Sequence, residues 1–263
     1  SSRLAVVGVT GTNGKTTTTY LVDSIMRAAG RVTGLVGTVE TRVADERLPS
    51  ARTTPESADI QRLFVRMLEA GVDTAAIEVS SHAIDLHRVD AVRFAVAAFT
   101  NLTQDHLDYH QTLEEYWSVK RRLFTDFDVA ERVVDIDDPR GADLAASTGA
   151  GWTVGRVADA RVRAIDEEPG PFGTVFTLVT PVGRSRVILP LAGSYNVSNA
   201  LVAAGCALAQ GVTLAEVVTG LEHAPQVPGR LERVDEGQPF SVMVDYAHTP
   251  DSLSKAIAAV RAV

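Results

Sequence analysis

Residues 4–30 read LAVVGVTGTNGKTTTTYLVDSIMRAAG, and this stretch decides the class of fold. An apolar run from Leu4 to Val9 predicts a buried β-strand. The segment after Lys15 predicts a helix that ends at Gly30, a residue suited to a left-handed helix terminus. A glycine-rich loop, Thr10-Gly-Thr-Asn-Gly-Lys-Thr, lies between the two. A strand, a glycine loop ending in Gly-Lys-Thr and a helix, in that order, are typical of a phosphate-binding loop.

This loop predicts a nucleoside-triphosphate site. Glycines let backbone N–H groups reach phosphate oxygens, and the helix N-terminus adds positive potential. Lys15 would contact the β- and γ-phosphates, and the Thr16 hydroxyl would ligate Mg²⁺. The strict Walker pattern has a glycine where this chain has Val9, and the alternative is a plain glycine turn with a solvated lysine. The predicted ATP-binding residues are Gly11, Thr12, Asn13, Gly14, Lys15, Thr16 and Thr17.

The composition of the 263 residues is that of a soluble globular protein, with 45% hydrophobic and 22% charged residues. The net charge of −8 disfavours non-specific binding to nucleic acid. The single cysteine, Cys206, lies in an apolar helical run, where a structural buried thiol is expected. No signal peptide precedes the first strand and no apolar stretch approaches membrane-spanning length. We therefore expect a cytoplasmic protein with no membrane contact, and a monomer.

Alternating strand and helix patterns predict an α/β fold with a mostly parallel sheet flanked by helices. Residues 72–79 and 94–100 read as buried strands, whereas residues 40–52 read as a polar loop. Ligands of such sheets lie beyond the carboxyl ends of the strands. Glu78 therefore falls at the same edge as the phosphate-binding loop, where a carboxylate is a natural Mg²⁺ ligand. The alternative is a lone salt-bridged glutamate at a strand end.

The later part of the chain changes character. Three β-runs between residues 161 and 191, joined by Gly/Pro turns, predict a small antiparallel sheet attached to the α/β body. Residues 235–239 read as a linker, and the strand and helix that follow predict the first βα unit of a further α/β domain. We expect one domain at 1–234 and the start of another at 235–263, whose last helix is still running at the final residue.

Ionisable residues are concentrated after the strand at 94–100. Residues 101–110 carry many hydrogen-bonding groups, which packing alone explains poorly, although any single histidine there would more often be structural. The following helix places Lys120 close to an apolar face that includes Tyr116 and Leu123. A lysine at such a position either snorkels, with its stem along the apolar face and its amine in solvent, or points its amine inward as a functional group.

Two further polar stretches have simple explanations when taken alone. Thr53 and Thr54 precede Pro55 and a predicted helix, which helix capping would explain. Asn196 opens an alanine-rich helix and is a plausible N-cap.

Together these stretches resemble the Mur ligases, ATP-dependent amide-forming enzymes of peptidoglycan precursor synthesis. The Thr53-Thr54-Pro55, Ser80-Ser81-His82 and His106-to-His110 stretches look most like the tripeptide-synthetase (MurE-type) branch of that family. The match runs through nearly the whole chain, at residues 10–17, 78–82, 100–102, 105–110, 120, 196–199, 228–232 and 245–250.

The resemblance implies that this chain is the central ATPase domain with the first strand and helix of the third domain. The UDP-binding domain and most of the C-terminal domain, with the amino-acid-selecting motif, would lie outside it. The implied activity is ATP-dependent addition of a diamino acid, meso-diaminopimelate or L-lysine, to UDP-MurNAc-L-Ala-D-Glu through an acyl phosphate. That reaction serves cell wall biogenesis and therefore cell shape and cell division.

The resemblance also implies roles for particular residues. Lys15, His106 and Lys120 would be catalytic, one Mg²⁺ would bind Thr16 and Glu78, and a second would bind His106 and an N-carboxylated Lys120. Four residues would bind the muramyl-peptide substrate, namely Thr53, Thr54, Ser80 and Arg88. Three more would contact the nucleotide from across the cleft, namely Asn199, Arg230 and Asp245.

This sequence departs from the family pattern at two positions. Leu86 stands where several members place a glutamine that contacts the muramyl substrate, and Arg52 replaces an asparagine that often precedes Thr-Thr-Pro. Two other interpretations remain open: a sister ligase such as a folylpolyglutamate synthetase, and a non-catalytic module that binds ATP as a regulatory ligand. The sister ligase lacks this combination of motifs, and a passive binder does not need a second cation site.

Overall fold

The computed structural model describes residues 4–105, 109–170, 172–238 and 240–261. Its eight helices within those ranges are α1 Lys15–Ala28, α2 Ser57–Glu69, α3 Ser81–Asp85, α4 Leu113–Thr125, α5 Pro139–Thr148, α6 Ser194–Ala209, α7 Leu214–Glu222 and α8 Pro250–Arg261. The strands are β1 Ala5–Thr10, β2 Thr33–Val36, β3 Thr41–Val43, β4 Glu46–Leu48, β5 Thr74–Glu78, β6 Phe94–Phe99, β7 Val129–Asp135, β8 Trp152–Gly155, β9 Val162–Gly170, β10 Gly173–Thr180, β11 Gly183–Leu189, β12 Glu232–Val234 and β13 Val242–Val244.

Eleven strands form one sheet in the order β11-β10-β9-β8-β7-β6-β1-β5-β2-β3-β4. Its centre is parallel, because β1 pairs with β5 and β6 in the same direction. In this register Val9 lies beside Glu78 and Thr10 lies beside Phe99, so the three strands end at one edge. The predicted α/β fold and the common edge for the phosphate-binding loop and Glu78 are confirmed.

The predicted antiparallel sheet is also present, formed by β9, β10 and β11. It is not a separate layer, because β9 pairs in parallel with β8 and so extends the main sheet. The expectation of a polar loop at residues 40–52 was wrong. An antiparallel hairpin, β3 and β4, turns there at Ala44, which has a φ of 51°.

The hairpin was not predicted because its two strands are mostly polar, and one of their charged residues, Arg42, is buried by an ion pair with another element. Arg42 is 8% exposed and forms an ion pair with Asp23 of α1. Arg27 of α1 reaches the same hairpin and donates to the Ala44 carbonyl oxygen at 2.8 Å. A pattern of alternating apolar residues predicts a strand, but side chains that satisfy one another across two elements leave no such pattern.

Both faces of the sheet are covered by apolar packing. Helices α1, α6 and α7 bury one face, and α2, α4 and α5 bury the other. Cys206 of α6 is fully buried, as expected of a structural thiol, and burial raises its pKa. None of the helices in the described ranges is both long and apolar enough to cross a membrane.

The two short strands β12 and β13 form a separate antiparallel ribbon, and α8 follows it. This ribbon spans the predicted boundary at residue 235. The backbone N–H of Tyr246 donates to the Gly229 carbonyl oxygen at 2.8 Å, so the segment after the ribbon is tied back to the turn before it.

Candidate functional site

The phosphate-binding loop is held in shape by the end of strand β6. Gly11 and Gly14 have φ values of 144° and 89°, a region that residues with a side chain rarely adopt. The Thr100 hydroxyl donates to the Asn13 carbonyl oxygen at 2.7 Å, and the Asn101 side chain accepts from the Asn13 N–H at 3.0 Å. Thr12 is anchored in the same way by Thr103. Thr100, Asn101 and Thr103 were not predicted as site residues, although all three lie within four residues of the end of β6.

Two lysines meet at the loop. Lys15, the first residue of α1, donates to the carbonyl oxygens of Gly11 and Thr12 at 2.9 and 2.7 Å. Lys120 of α4 donates to the same Gly11 oxygen at 2.8 Å and is only 1% exposed. The Lys120 amine therefore points inward and does not reach solvent along a snorkelling stem.

The environment of each lysine disfavours its charged form. Burial lowers the pKa of Lys120 well below its ordinary value, and the nearby Lys15 charge lowers it further, whereas Asp105 opposes both effects. Burial also lowers the pKa of Lys15, against the attraction of Glu78 and Asp105. This environment favours the neutral amine of Lys120, and a neutral amine is a nucleophile, whereas the charged amine of a solvated lysine is not.

Thr16 and Glu78 lie together, as the predicted first Mg²⁺ site requires. The Thr16 hydroxyl donates to Glu78 Oε2 at 3.1 Å. Thr38 completes the group: its N–H donates to Glu78 Oε1 at 2.7 Å and its hydroxyl to Oε2 at 3.1 Å. Burial raises the pKa of Glu78, against the hydrogen bonds from Thr38. Thr38 was missed because it lies in a turn whose sequence carries no motif.

The donor set here fits Mg²⁺. One buried carboxylate and two hydroxyl groups lie within hydrogen-bond distance of one another, and Mg²⁺ in nucleotide sites uses oxygen ligands from one or two carboxylates together with substrate phosphates and water. Within the described residues, no group of three or more His, Cys, Asp or Glu side chains converges as an all-protein metal cage. His106, predicted as a ligand of the second Mg²⁺, lies outside the described residues.

The four predicted substrate-binding residues are connected to Glu78 through Thr54 and Thr38. The Thr54 hydroxyl donates to the Glu78 carbonyl oxygen at 2.8 Å and accepts from the Ser80 N–H at 3.1 Å. Arg88 donates to the Thr54 carbonyl oxygen at 3.2 Å, and the Thr53 hydroxyl lies 3.0 Å from that of Thr38. The capping explanation for the two threonines is wrong, because α2 has Glu56 at its N-cap and no side-chain cap.

The two departures from the family pattern lie beside this group. Arg52 forms an ion pair with Glu56, which also pairs with Arg88 at 3.1 Å. Leu86, at the C-cap of α3, is 49% exposed. Arg52 therefore helps to hold Glu56 against Arg88.

Asn199 of α6 faces the phosphate-binding loop. A Cβ at Gly14 would collide with Asn199 Oδ1, so the two residues are in direct contact. The Asn199 amide donates to Asn196 Oδ1 at 3.0 Å, and Asn196 in turn donates to the Ala192 carbonyl oxygen at 2.7 Å. The prediction that Asn196 is the N-cap was wrong, because Gly193 has that position and Asn196 lies inside the first turn.

Arg230 and Asp245 approach from the segment around the ribbon. Arg230 Nη2 donates to the Thr16 hydroxyl oxygen at 3.2 Å, and its guanidinium lies 5.0 Å from the centre of the Tyr246 ring. Asp245 accepts from the N–H groups of Leu231 and Ala247, both at 2.7 Å. Asp245 thus holds the turn that carries Arg230.

The comparisons with known proteins point to one family. Residues 9–207 match the family described as Mur ligase middle domain. The chain is 46% identical to the UDP-N-acetylmuramoyl-L-alanyl-D-glutamate–2,6-diaminopimelate ligase of Bacillus licheniformis, over 98% of this chain and 54% of that protein. The enzyme of the same name from Streptomyces coelicolor is also 46% identical, over 99% of this chain and 52% of that protein.

A solved structure of a ligase with the same name superposes with a TM-score of 0.84 at 28% identity. It matches 98% of this chain and 54% of its own. The chain therefore spans about half the length of the curated relatives it matches.

Proposed function

This chain belongs to the Mur ligase family, and from that premise we propose that it is the ATP-binding part of a tripeptide synthetase. The full-length enzyme would add 2,6-diaminopimelate to UDP-MurNAc-L-Ala-D-Glu. The names of the curated relatives support both substrates. The observation that carries the proposal is the meeting of Lys15 and Lys120 at the Gly11 carbonyl oxygen, beside the Thr16–Glu78 pair.

The proposed reaction has two steps. The γ-phosphoryl group of ATP passes to the γ-carboxylate of D-Glu, so an acyl phosphate and ADP form. The amine of the diamino acid then attacks the acyl carbon, and the tetrahedral intermediate releases phosphate, a proton and the amide. A carboxylate is a poor electrophile, and phosphorylation supplies a leaving group. Every reacting species except the amine is anionic, so charge neutralisation and alignment dominate the catalysis.

Lys15 and the N–H groups of the loop would bind the β- and γ-phosphates of ATP. The Thr16 hydroxyl and the Glu78 carboxylate would hold one Mg²⁺, and His106 with Lys120 would hold a second. The metal ions would supply positive charge to the phosphate oxygens. Burial raises the pKa of Glu78, and a bound cation would offset that effect and keep the carboxylate ionised.

Lys120 would act as an N-carboxylated residue. Its neutral amine would attack CO₂, and the loss of one proton would leave a carbamate, an anionic oxygen ligand suited to Mg²⁺. The lowered pKa of Lys120 supports this step, because only the neutral amine reacts. The 1% exposure of the residue supports the persistence of the carbamate, which water and acid would otherwise reverse.

The remaining predicted residues would bind the two large substrates. Thr53, Thr54, Ser80 and Arg88 would bind the muramyl peptide, and the hydrogen bonds that join Ser80 and Arg88 to Thr54 support a single site. Asn199, Arg230 and Asp245 would contact the nucleotide, and the contact of Asn199 with Gly14 and that of Arg230 with Thr16 support this role.

The activity would require segments equivalent to the other half of the relatives. In this proposal residues 1–234 are the central ATP-binding domain and residues 235–263 begin the C-terminal ligase domain. The enzyme would work as a monomer in the cytoplasm, where ATP and the UDP-linked precursor are found, and would serve cell wall growth and cell division.

The test uses the full-length protein and follows phosphate release with ATP, Mg²⁺ and UDP-MurNAc-L-Ala-D-Glu. Diaminopimelate and L-lysine are added in separate reactions. We expect release only when the muramyl dipeptide and diaminopimelate are both present. Release with L-lysine in place of diaminopimelate would correct the amino-acid substrate.

Other outcomes overturn the proposal. Release that depends on a folate and glutamate would identify a sister ligase. Tight ATP binding without turnover under any of these conditions would identify a regulatory nucleotide-binding module.

A further inference from the structure

His110 lies buried beside the first residue of helix α3. It is 1% exposed, and its Nε2 lies 3.0 Å from the hydroxyl oxygen of Ser81, which is also 1% exposed. The other ring nitrogen, Nδ1, makes no hydrogen bond with any described residue. Burial lowers the pKa of His110 and the neighbouring His82 lowers it further, against the carboxylates of Asp85 and Glu115, which favours the neutral imidazole.

A neutral imidazole carries one N–H, and this limits how the pair can bond. If Nε2 carries the proton, it donates to Ser81. If Nδ1 carries it, Ser81 donates to Nε2 and the buried Nδ1 N–H has no partner among the described residues, which costs more than an unused lone pair. The first arrangement is favoured, so His110 is a donor fixed on Ser81. A phenylalanine at this position would fill the same space. Packing alone therefore does not require a histidine, whereas the hydrogen bond to Ser81 does.

Helix α3 depends on such outside contacts. It has only five residues, too few for intrinsic helical stability. Its first residue is held by His110, and its last, Asp85, accepts from the Tyr109 hydroxyl at 2.8 Å. The two bonds come from adjacent residues on the segment that precedes α4.

Residues at both ends of α3 are hydrogen-bonded to Thr54, one of the four proposed substrate-binding residues. Ser80 is the N-cap of α3, and its N–H donates to the Thr54 hydroxyl oxygen at 3.1 Å. Arg88 follows α3 and donates to the Thr54 carbonyl oxygen at 3.2 Å. A shift of the first turn of α3 would therefore move Ser80 relative to Thr54.

The ring of Tyr116 lies between His110 and Lys120. The His110 ring lies 5.2 Å from that of Tyr116, and Lys120 Nζ lies 4.5 Å from the centre of the same Tyr116 ring. His110 is thus packed between the helix that carries Lys120 and the helix that carries Ser81.

We propose that His110 is a positioning residue for the muramyl-peptide substrate, acting through its hydrogen bond to Ser81. By fixing the first turn of α3 it sets Ser80 against Thr54 and places the substrate carboxylate with respect to Lys120. This inference rests on the proposed function, since it concerns the substrate of that site.

The test compares four variants of the full-length protein with the wild type. His110→Phe removes the hydrogen bond and keeps the ring, His110→Gln keeps an amide donor near the position of Nε2, and Ser81→Ala removes the partner. The double variant Ser81→Ala/His110→Phe completes a cycle. The matched control is His87→Gln, a surface histidine just after α3 whose Nδ1 lies 2.8 Å from Asp90 Oδ2. Calorimetry measures the Kd of UDP-MurNAc-L-Ala-D-Glu, and kinetics give KM and kcat.

We expect His110→Phe and Ser81→Ala each to weaken binding of the muramyl nucleotide about tenfold, the effect of one buried hydrogen bond. The KM for ATP should stay within about twofold of the wild-type value, and His110→Gln should restore most of the affinity. The double variant should be no weaker than either single one, because both remove the same bond.

Each other result has a definite meaning. A wild-type protein that does not bind the muramyl nucleotide contradicts the proposed function itself. Wild-type binding with unchanged affinity in His110→Phe and Ser81→Ala overturns only the role of His110. Equal losses of ATP and muramyl affinity together with a lower Tm assign His110 a general structural role and also overturn it. If His110→Phe fails to fold, Ser81→Ala decides the question alone.

Discussion

The amine of Lys120 donates a hydrogen bond of 2.8 Å to the carbonyl oxygen of Gly11. These residues are 109 positions apart in the chain, and the bond ties helix α4 to the phosphate-binding loop. Lys15 donates to the same oxygen at 2.9 Å, so two amines share one acceptor. The loop and α4 are therefore directly connected. A change of charge at Lys120 would alter the electrostatic environment of Lys15, the residue that would bind the phosphates.

Replacing Lys120 should remove turnover and permit chemical rescue. Lys120→Ala takes away the amine that would become the carbamate, and we expect a loss of at least about a hundredfold in kcat. Formate or acetate added at high concentration should restore part of the activity by supplying a carboxylate in the cavity. Phosphate release measures both effects. Lys255→Ala, on the exposed surface of α8, is the control. Full activity of Lys120→Ala without added carboxylate would contradict the proposed role.

Replacing Glu78 should change the requirement for Mg²⁺. Glu78→Gln keeps the size of the side chain but removes the negative charge beside Thr16. The Mg²⁺ concentration for half-maximal activity should rise about tenfold or more, because a neutral amide is a much weaker ligand for a hard cation. A Mg²⁺ titration at saturating ATP measures the change, with Glu69→Gln at the exposed end of α2 as the control. An unaltered Mg²⁺ requirement would show that Glu78 is not a ligand.

A side chain at Gly14 should damage the nucleotide site beyond its effect on stability. Gly14 has a φ of 89° and its Cβ would collide with Asn199, so Gly14→Ala strains the backbone and displaces Asn199. Gly30→Ala isolates the first effect, because Gly30 has a φ of 76° and nothing within 4 Å of the added atom. We expect Gly30→Ala to cost about 1 kcal/mol of stability and to keep ATP affinity. Gly14→Ala should lose ATP binding, which calorimetry measures. Equal ATP affinities in the two variants would show that displacement of Asn199 does not impair ATP binding.

Asp135, at the end of β7, should make stability depend on pH. Burial, with the charges of Asp137 and Asp138, raises the pKa of Asp135 to about 7, against the hydrogen bond from the Asp137 N–H and the attraction of Arg156. The unfolded state binds this proton only below about pH 4. The folded protein therefore binds more protons than the unfolded chain between these values, and stability falls as pH rises through that window.

Asp135→Asn removes this dependence and keeps an acceptor for the Asp137 N–H. As pH rises through this window, the free energy of unfolding of the variant should increase relative to that of the wild type by up to about 1.4 kcal/mol for each pH unit. Urea unfolding at pH 5 and pH 8 measures the difference, and the exposed Asp159→Asn is the control. A difference between variant and wild type that is the same at both pH values would contradict the raised pKa.

Local patterns predicted the parts of the fold that depend on nearby residues. The strand, glycine loop and helix at residues 4–30 are adjacent in the chain, so their spacing alone identified the loop. The same holds for the three β-runs joined by Gly/Pro turns, which form β9, β10 and β11. The hairpin of β3 and β4 could not be predicted in this way, because Arg42 is buried by pairing with Asp23 on another element.

The sequence by itself determined which chemical groups are available: a phosphate-binding loop, a strand-end glutamate and one lysine on a helix with an apolar face. Only the tertiary structure decided which of them meet. Thr54 could cap α2, yet its hydroxyl donates to the Glu78 carbonyl oxygen, and Lys120 could snorkel, yet it reaches Gly11. Contacts between distant segments depend on strand order and on how helices pack, and a local pattern does not encode either.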